Sequence, residues 1–297
     1  MAQIKANGIN LEYEEFGSKD TETILLIMGL GAQLTRWPLP FIEILKRRGY
    51  RVVRYDNRDV GLSQKFSEAG PANIQQIIAD MMTGKTVTAA YTLGDMAADA
   101  AGLLEALGIA SAHIVGASMG GMIAQMVAAN HPEKTRSLTS IMSSTGNAGL
   151  PPAKPEAMAV LLTRPPADDL EAFVTFGVKA SRTIGSPGYP TGERELRARI
   201  LEDFKRCYYP EGFSRQMAAI IASGDRRSAL KKITAPTVVV HGLDDPLAPV
   251  EGGRDTAANI AGARLVEIAG MGHDLPAALY SRIADAIESA IRRAHDV

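Results

Sequence analysis

The chain has 297 residues, a formal net charge of −1 and a sequence pI of about 6.5. This near-neutral balance offers no basic surface to nucleic acid or anionic lipid, so we expect a small-molecule partner and neither nucleic acid nor a membrane. The single cysteine, Cys207, excludes an internal disulfide, and the polar, mixed segment 1–10 shows no signal-peptide pattern, which favours a cytoplasmic protein.

Strand-like and helix-like segments alternate through the first half of the chain. The expected strands are Leu11–Phe16, Ile24–Met28, Arg51–Tyr55, Ala112–Val115 and Leu138–Met142, and the expected helices are Phe41–Arg48, Tyr91–Leu107 and Gly121–Asn130. Thr92 is followed three residues later by Asp95, which predicts a helix start close to a capping box. The longest apolar stretch, 24–32, is far shorter than the roughly 20 residues needed to cross a bilayer. The alternation predicts an α/β fold with a parallel sheet and crossover helices.

The pattern changes after Ser143, where prolines separate short helical pieces and no strand of good quality is expected before about Lys232. Helices are predicted at Glu193–Tyr208 and Phe213–Ala222, followed by strands at Thr237–Val240 and Arg264–Ile268 and a closing helix at Ala277–Arg293. We therefore expect a core of residues 1–146 and 233–297, interrupted by a helical cap, or lid, at residues 147–232.

Residues 116–120 read G-A-S-M-G and lie between a predicted strand and a predicted helix. G-x-S-x-G in this strand-turn-helix setting is typical of a serine nucleophile, because a serine hydroxyl must be held exposed and supplied with a base and an oxyanion site. An ordinary glycine-serine turn is the alternative, and the flanking strand and helix argue against it. Ser118 is therefore the expected nucleophile.

A serine nucleophile needs a histidine base and a carboxylate that orients the imidazole, in the chain order serine, acid, histidine. His273 is the expected base, because it alone among the five histidines lies in a glycine-flanked loop after a late strand; His241 is expected to pack or hydrogen-bond. Asp245 is the favoured acid, since the following proline makes its backbone extended, and Asp244 remains the alternative. Asp274, next to the histidine, is expected at the surface or at a helix cap. Parallel strands end at one edge of a sheet, where these loops would converge.

The developing oxyanion of acyl transfer needs preorganised donors, which backbone NH groups provide at little reorganisation cost. Met119 follows the nucleophile and begins a helix whose dipole favours negative charge. We expect the second donor to be the NH of Leu30, in the glycine loop Met28–Gly31. An ordinary glycine turn is the alternative for that loop.

Five segments together resemble the α/β-hydrolase fold family, and the resemblance runs over almost the entire chain. They are Met28–Gly31, Asp56–Ser63, Gly116–Gly120, Asp245–Pro246 and Gly270–His273. Within that superfamily the chain looks most like the serine esterases that include the aclacinomycin methylesterases. This resemblance implies an eight-stranded, mostly parallel sheet with helices on both faces, a helical cap between strands six and seven, no cofactor, and a triad of Ser118, Asp245 and His273. We expect a monomer or homodimer. Asp59 stands where this family commonly has glycine, and Met28 where it often has histidine.

The serine nucleophile argues against haloalkane dehalogenase and epoxide hydrolase chemistry, in which a carboxylate forms the covalent ester. No H-E-x-x-H spacing points to a metal. We expect hydrolysis of a small to medium, mostly apolar carboxylic ester or lactone, and the lack of a charged cluster argues against a highly charged substrate. Candidates for an apolar pocket, each also compatible with plain core packing, are Gly29, Trp37, Met122, Phe176, Tyr208, Tyr209 and Met217.

Other functions share these residues. The same triad supports carbon-carbon bond hydrolysis of a diketone, amide or peptide hydrolysis, and cofactor-free peroxidation as in haloperoxidases and perhydrolases. A non-catalytic small-molecule receptor on this scaffold is a further alternative, although such receptors often lose a triad member. Reactivity of Ser118 separates the receptor from the enzymes.

Overall fold

The computed structural model describes residues 2–85, 87–163 and 168–295. The strands are β1 Ala2–Ala6, β2 Ile9–Phe16, β3 Thr23–Ile27, β4 Arg51–Tyr55, β5 Ala112–Ala117, β6 Thr135–Ile141, β7 Thr237–Gly242 and β8 Arg264–Ile268. The helices are α1 Leu39–Arg47, α2 Ile74–Met82, α3 Leu93–Ala106, α4 Met119–Asn130, α5 Pro155–Leu162, α6 Leu170–Ile184, α7 Glu193–Arg206, α8 Pro210–Ser223, α9 Arg227–Leu230, α10 Val250–Ala258 and α11 Tyr280–His295.

Over these residues the strands form one 8-stranded sheet in the order β1-β2-β4-β3-β5-β6-β7-β8. β1 and β2 pair antiparallel with each other, and β2 pairs antiparallel with β4. All pairs from β4 and β3 across to β8 are parallel. The carboxyl ends of β5, β7 and β8 therefore lie at one edge, and the loops that follow them meet there.

Helices cover both faces of the sheet, as alternating side chains of its strands show. In β3, Leu25 and Ile27 pack in a cluster with apolar residues of α3 and α4, whereas Ile24 and Leu26 pack with those of α1 and α11. β3 and β5 are buried throughout because both faces are covered, which explains their continuous apolar sequences. The predicted α/β class and the mostly parallel sheet are confirmed.

The segment between β6 and β7 carries α5 to α9 and, over its described residues, no strand. Its helix α8 contacts α2 and α3 of the first half of the chain. A separate apolar cluster holds α6 to α7 through Val174, Val178, Leu196 and Ile200. Within the described ranges, no helix has the length and apolarity that crossing a bilayer requires.

The helix start at Thr92 is confirmed in detail, since Thr92 Oγ1 accepts from the Asp95 NH and Asp95 in turn accepts from the Thr92 NH. β1 was missed, because it is a mostly exposed edge strand without an apolar run. The helices α2 and α10 were also unpredicted. The glycine pair Gly252 and Gly253 explains the second omission, since glycine is unfavourable in a helix interior and here allows close contact with Ser144 and His241.

Candidate active site

Ser118 occupies a sharp turn between β5 and α4. Its backbone has φ 57 and ψ −123, a region that a non-glycine residue adopts only when its surroundings enforce it. A Cβ on Gly116 would lie 2.0 Å from the Gly120 carbonyl oxygen, and one on Gly120 would lie 2.1 Å from that of Ile27. Both glycines of the motif are therefore required by close backbone approach, and the turn exposes the Ser118 hydroxyl to a cavity.

A chain of hydrogen bonds joins Ser118, His273 and Asp245 at the carboxyl edge of the sheet. His273 Nε2 lies 2.9 Å from Ser118 Oγ, and His273 Nδ1 lies 2.7 Å from Asp245 Oδ2. Because a carboxylate only accepts, Nδ1 carries the proton and Nε2 offers its lone pair to the serine hydroxyl. The other Asp245 oxygen, Oδ1, accepts from the NH groups of Leu247 and Ala248 at 2.9 and 2.8 Å. Asp245 is thus fixed in the orientation that sets the imidazole tautomer.

The electrostatics of the histidine follow from its two neighbours. Burial acts to lower the pKa of His273, but the negative charge of Asp245, its hydrogen bond to the ring and the charge of Asp274 together raise it above its ordinary value. Asp245 therefore stabilises the imidazolium that forms when the histidine accepts a proton.

The structure separates the two acid candidates. Asp244 is exposed, and its Oδ2 accepts from the Gly270 NH at 2.7 Å, in the loop before the histidine and away from the imidazole. His241 is buried and donates from Nε2 to the Ala248 carbonyl at 2.7 Å, which is the hydrogen-bonding role expected of it. Asp274 differs from expectation, because it is half-buried and its carboxylate accepts from the Ser186 NH at 3.0 Å.

That contact is one of several by which the end of α6 holds the histidine loop. The His273 NH donates to the Ile184 carbonyl at 2.7 Å, and the Gly272 NH donates to Ser186 Oγ at 2.9 Å. Sequence reasoning missed Ser186, since no local pattern connects it with a loop 86 residues further along the chain.

Leu30 and Met119 line the same cavity as Ser118, as expected of the two oxyanion donors. Among the described residues, neither the Leu30 NH nor the Met119 NH has a hydrogen-bond acceptor. Preorganised donors without a protein acceptor can bind an oxygen that develops negative charge. Met119 is also the first residue of α4, where the helix dipole adds to that effect.

Three side chains hold the loop of Leu30 in place. Gln216, buried in α8, accepts from the Gly31 NH at 2.8 Å and donates to the Arg58 carbonyl at 2.7 Å. Asn57 donates to the Met28 carbonyl at 2.8 Å, and Asp56 accepts from the Leu34 NH at 2.7 Å. These contacts provide the support behind the loop at which Met28 departs from the family pattern. Gln216 carries no sequence signal, because a single amide on a helix has no distinctive spacing.

Asp59 belongs to the same supporting structure. Its φ of 68 lies in the left-handed region, which explains why glycine is common there and why aspartate is tolerated. Its carboxylate is buried and receives both Arg215 Nε and Nη2 at 2.8 Å, together with the Tyr91 hydroxyl at 2.7 Å. This bidentate pair joins α8 to the loop after β4.

The cavity at Ser118 has a volume of about 630 Å³, within the range of small-molecule sites. Six of the pocket candidates line it, namely Gly29, Met122, Phe176, Tyr208, Tyr209 and Met217. The assignment of Trp37 was wrong. Its indole is fully buried in the core between sheet and helices, with its ring centroid 5.8 Å from that of Phe41. An apolar ring serves either location, and here packing against α1 determines its position.

One wall of the cavity is charged, which the sequence analysis did not anticipate. Arg199 and Asp203 of α7 line it, together with Arg36 and with Asp274 beside the histidine. Arg36 forms an ion pair with Asp203. The expectation that the site lacks a charged cluster is therefore wrong, because these residues are distant in sequence and meet only in the fold.

In the described ranges, a grouping of side chains close enough for a shared metal ion comprises Glu22, His113 and His295. Glu22 and His113 lie at the amino ends of β3 and β5, the edge of the sheet opposite Ser118. Glu22 already pairs with Arg136 and His295. This grouping lies outside the site described above.

Comparison with known proteins agrees with this architecture. A model of the alpha/beta hydrolase fold matches residues 22–276. Rhodomycin D methylesterase DauP of Streptomyces sp. (strain C5) is 29% identical over 310 residues, which cover 98% of each chain. Rhodomycin D methylesterase DnrP of Streptomyces peucetius is 28% identical over 305 residues, covering 96% of each. The meta-cleavage product hydrolase CumD from Pseudomonas fluorescens IP01 superposes with a TM-score of 0.77 at 20% identity, covering 99% of this chain and 98% of that one. The chain therefore belongs to the α/β-hydrolase fold family.

Proposed function

We propose that the protein is a serine hydrolase that cleaves a small to medium, mostly apolar carboxylic ester or lactone through an acyl-enzyme on Ser118. The observation that carries this proposal is the distance of 2.9 Å from Ser118 Oγ to His273 Nε2, with Nδ1 of the same ring 2.7 Å from Asp245. Two methylesterases similar over nearly the whole chain support an ester as the bond cleaved.

In the first half-reaction Ser118 Oγ attacks the ester carbonyl carbon while His273 Nε2 takes the hydroxyl proton. The carbonyl oxygen becomes an oxyanion and accepts hydrogen bonds from the NH groups of Leu30 and Met119. The intermediate then collapses, the bond to the alcohol oxygen breaks, and His273 returns the proton to that oxygen. The alcohol of an ester leaves, whereas that of a lactone stays attached to the acyl group; in both cases the acyl group remains on Ser118.

In the second half-reaction water attacks the acyl carbon and gives its proton to His273. A second oxyanion forms in the same place, and its collapse breaks the bond from the acyl carbon to Ser118 Oγ. His273 returns the proton to Oγ, which restores the hydroxyl, and the acid is released. Asp245 stays ionised throughout and stabilises the imidazolium in each half. The apolar side chains of the cavity, including Met122, Phe176 and Met217, favour an apolar acyl or alcohol group.

A fluorophosphonate probe and a panel of p-nitrophenyl esters of increasing acyl length test the proposal. We expect the probe to label the wild-type protein and kcat to fall on the order of 10⁴-fold or more in Ser118→Ala, with folding intact by circular dichroism. Ser281→Ala, which changes an exposed serine of α11 outside the cavity, is the matched control and should keep both labelling and turnover.

The same assays distinguish the alternatives. An unreactive Ser118 without turnover of any ester would favour a receptor. Labelling with faster turnover of a diketone, an amide or a peroxide donor than of every ester would assign the same three residues to another reaction. Near-normal ester turnover in Ser118→Ala would refute the acyl-enzyme.

A further inference from the structure

Arg199 is a cation in the cavity wall, and no residue that the structure describes pairs with it. It lies in α7 and lines the cavity together with Ser118 and His273. Its Nε is buried and has no hydrogen-bond partner among the described residues. Its guanidinium forms no hydrogen bond or ion pair with these residues. Nearby charged side chains influence it only by longer-range Coulomb interaction. Burial therefore lowers the pKa of Arg199.

Two of the three carboxylates near Arg199 are engaged elsewhere, and the third is exposed. Asp203 holds Arg36 in an ion pair and accepts from the Thr35 hydroxyl at 2.6 Å. Asp274 accepts from the Ser186 NH at 3.0 Å. Glu195 is exposed at the start of α7. The positive charge of Arg36 also lies near Arg199 and offsets part of the negative charge of these carboxylates. None of the three carboxylates contacts the guanidinium of Arg199.

Arg199 is half-buried, and a buried donor such as its Nε is unfavourable unless something binds to it. Its planar fork offers parallel N–H groups, the geometry that matches a carboxylate with two hydrogen bonds. Around this donor the wall is largely apolar, with Ile200, Phe204 and Phe176 among the lining residues. The site therefore combines an apolar volume with one position suited to a single negative charge.

We propose that Arg199 is a substrate-binding residue, and that the substrate is an apolar ester or lactone that carries one carboxylate away from the bond that is cleaved. This inference rests on the proposed function and adds the chemical class of its substrate. A single carboxylate agrees with the expectation of a mostly apolar substrate that is not highly charged.

Two esters of equal chain length test it: p-nitrophenyl hexanoate and the p-nitrophenyl monoester of adipic acid, which ends in a carboxylate. Arg199→Met removes the charge and keeps an apolar side chain, and Arg199→Lys keeps the charge without the fork. Arg197→Met is the matched control, because Arg197 lies on the same helix outside this cavity and pairs with Glu171.

In Arg199→Met we expect kcat/KM for the adipate ester to fall about 10- to 100-fold, chiefly through KM, with the hexanoate ester changed by less than about threefold. Arg199→Lys should recover part of the loss, and Arg197→Met should behave as wild type. Because no described residue pairs with Arg199, Arg199→Met should not lower the melting temperature. A lower melting temperature with equal losses for both esters would assign Arg199 a structural role and overturn the proposal.

Equilibrium binding keeps this test independent of the esterase reaction. The Ser118→Ala variant is titrated calorimetrically with N-phenyladipamic acid and with N-phenylhexanamide, which differ in the terminal carboxylate. We expect tighter binding of the acid, and loss of that preference when Arg199→Met is added. Equal affinities for the acid and the amide would overturn the carboxylate assignment, whether or not any ester is hydrolysed. If the preference for the acid is intact but no ester is turned over, only the proposed reaction is contradicted.

Discussion

Replacement of Asp245 by asparagine tests the site most directly, because the surrounding hydrogen bonds determine how the new amide must lie. Oδ1 of Asp245 accepts from two backbone NH groups, those of Leu247 and Ala248. An asparagine must place its carbonyl oxygen there, since its NH₂ group would face two donors. The NH₂ group then takes the position of Oδ2, 2.7 Å from His273 Nδ1.

An NH₂ donor at that position requires Nδ1 to be the acceptor, so the ring proton moves to Nε2. Nε2 would then direct its proton toward Ser118 Oγ and could not accept the hydroxyl proton. We expect Asp245→Asn to lower kcat by about 10⁴-fold, equivalent to about 5.5 kcal/mol in the activation barrier. The geometry of the site should stay intact, because the asparagine keeps the shape of the carboxylate.

Stopped-flow and steady-state assays with a p-nitrophenyl ester measure the effect, and Asp244→Asn is the adjacent control. Asp244 is exposed and accepts from the Gly270 NH, a bond that an asparagine oxygen preserves. We expect its kcat to stay within about threefold of wild type. Retention of more than about a tenth of kcat in Asp245→Asn, or an equal fall in Asp244→Asn, would refute the assignment of the acid.

Two further predictions concern charge. His273 must be neutral to act as a base and its pKa is raised by Asp245, so kcat/KM should rise with pH through a midpoint above the ordinary histidine value of 6.5; a profile flat across that range, measured in buffers of constant ionic strength, would contradict the role of His273. Arg215→Met should lower the free energy of unfolding by about 3–5 kcal/mol in urea titrations, because it leaves the Asp59 carboxylate buried without its cation, and adding Asp59→Asn should recover part of the loss. A loss in the double variant equal to the sum of the losses in Arg215→Met and Asp59→Asn would show that the pair is not coupled.

The sequence predicts the position of the site because the informative signals are local. The turn at Ser118 is specified within five residues, and the loops of Asp245 and His273 each follow a short apolar strand. Parallel pairing of those strands then brings the three side chains together without further information. The alternation of strand-like and helix-like segments likewise predicted the class of fold. The pattern did not reveal β1, because an exposed edge strand has no apolar pattern.

The supporting contacts were not predictable, because their partners are remote. Gln216 reaches the Arg58 carbonyl across 158 residues, and Arg215 reaches Asp59 across 156. Neither residue type is distinctive, and no periodicity links α8 to the loop after β4. Trp37 illustrates the complementary problem, since its apolar surface suits a pocket or a core equally and only packing distinguishes them.

Through these remote contacts α8 supports the loops beside Ser118. Gln216 fixes the Gly31 NH one residue after Leu30, and Arg215 of the same helix fixes Asp59. The position of the expected oxyanion donor is therefore coupled to the packing of the segment between β6 and β7. Because an oxyanion donor must lie about 2.7–3.1 Å from the oxygen it binds, a change in that segment that displaces the donor would alter the rate of reaction as well as the choice of substrate.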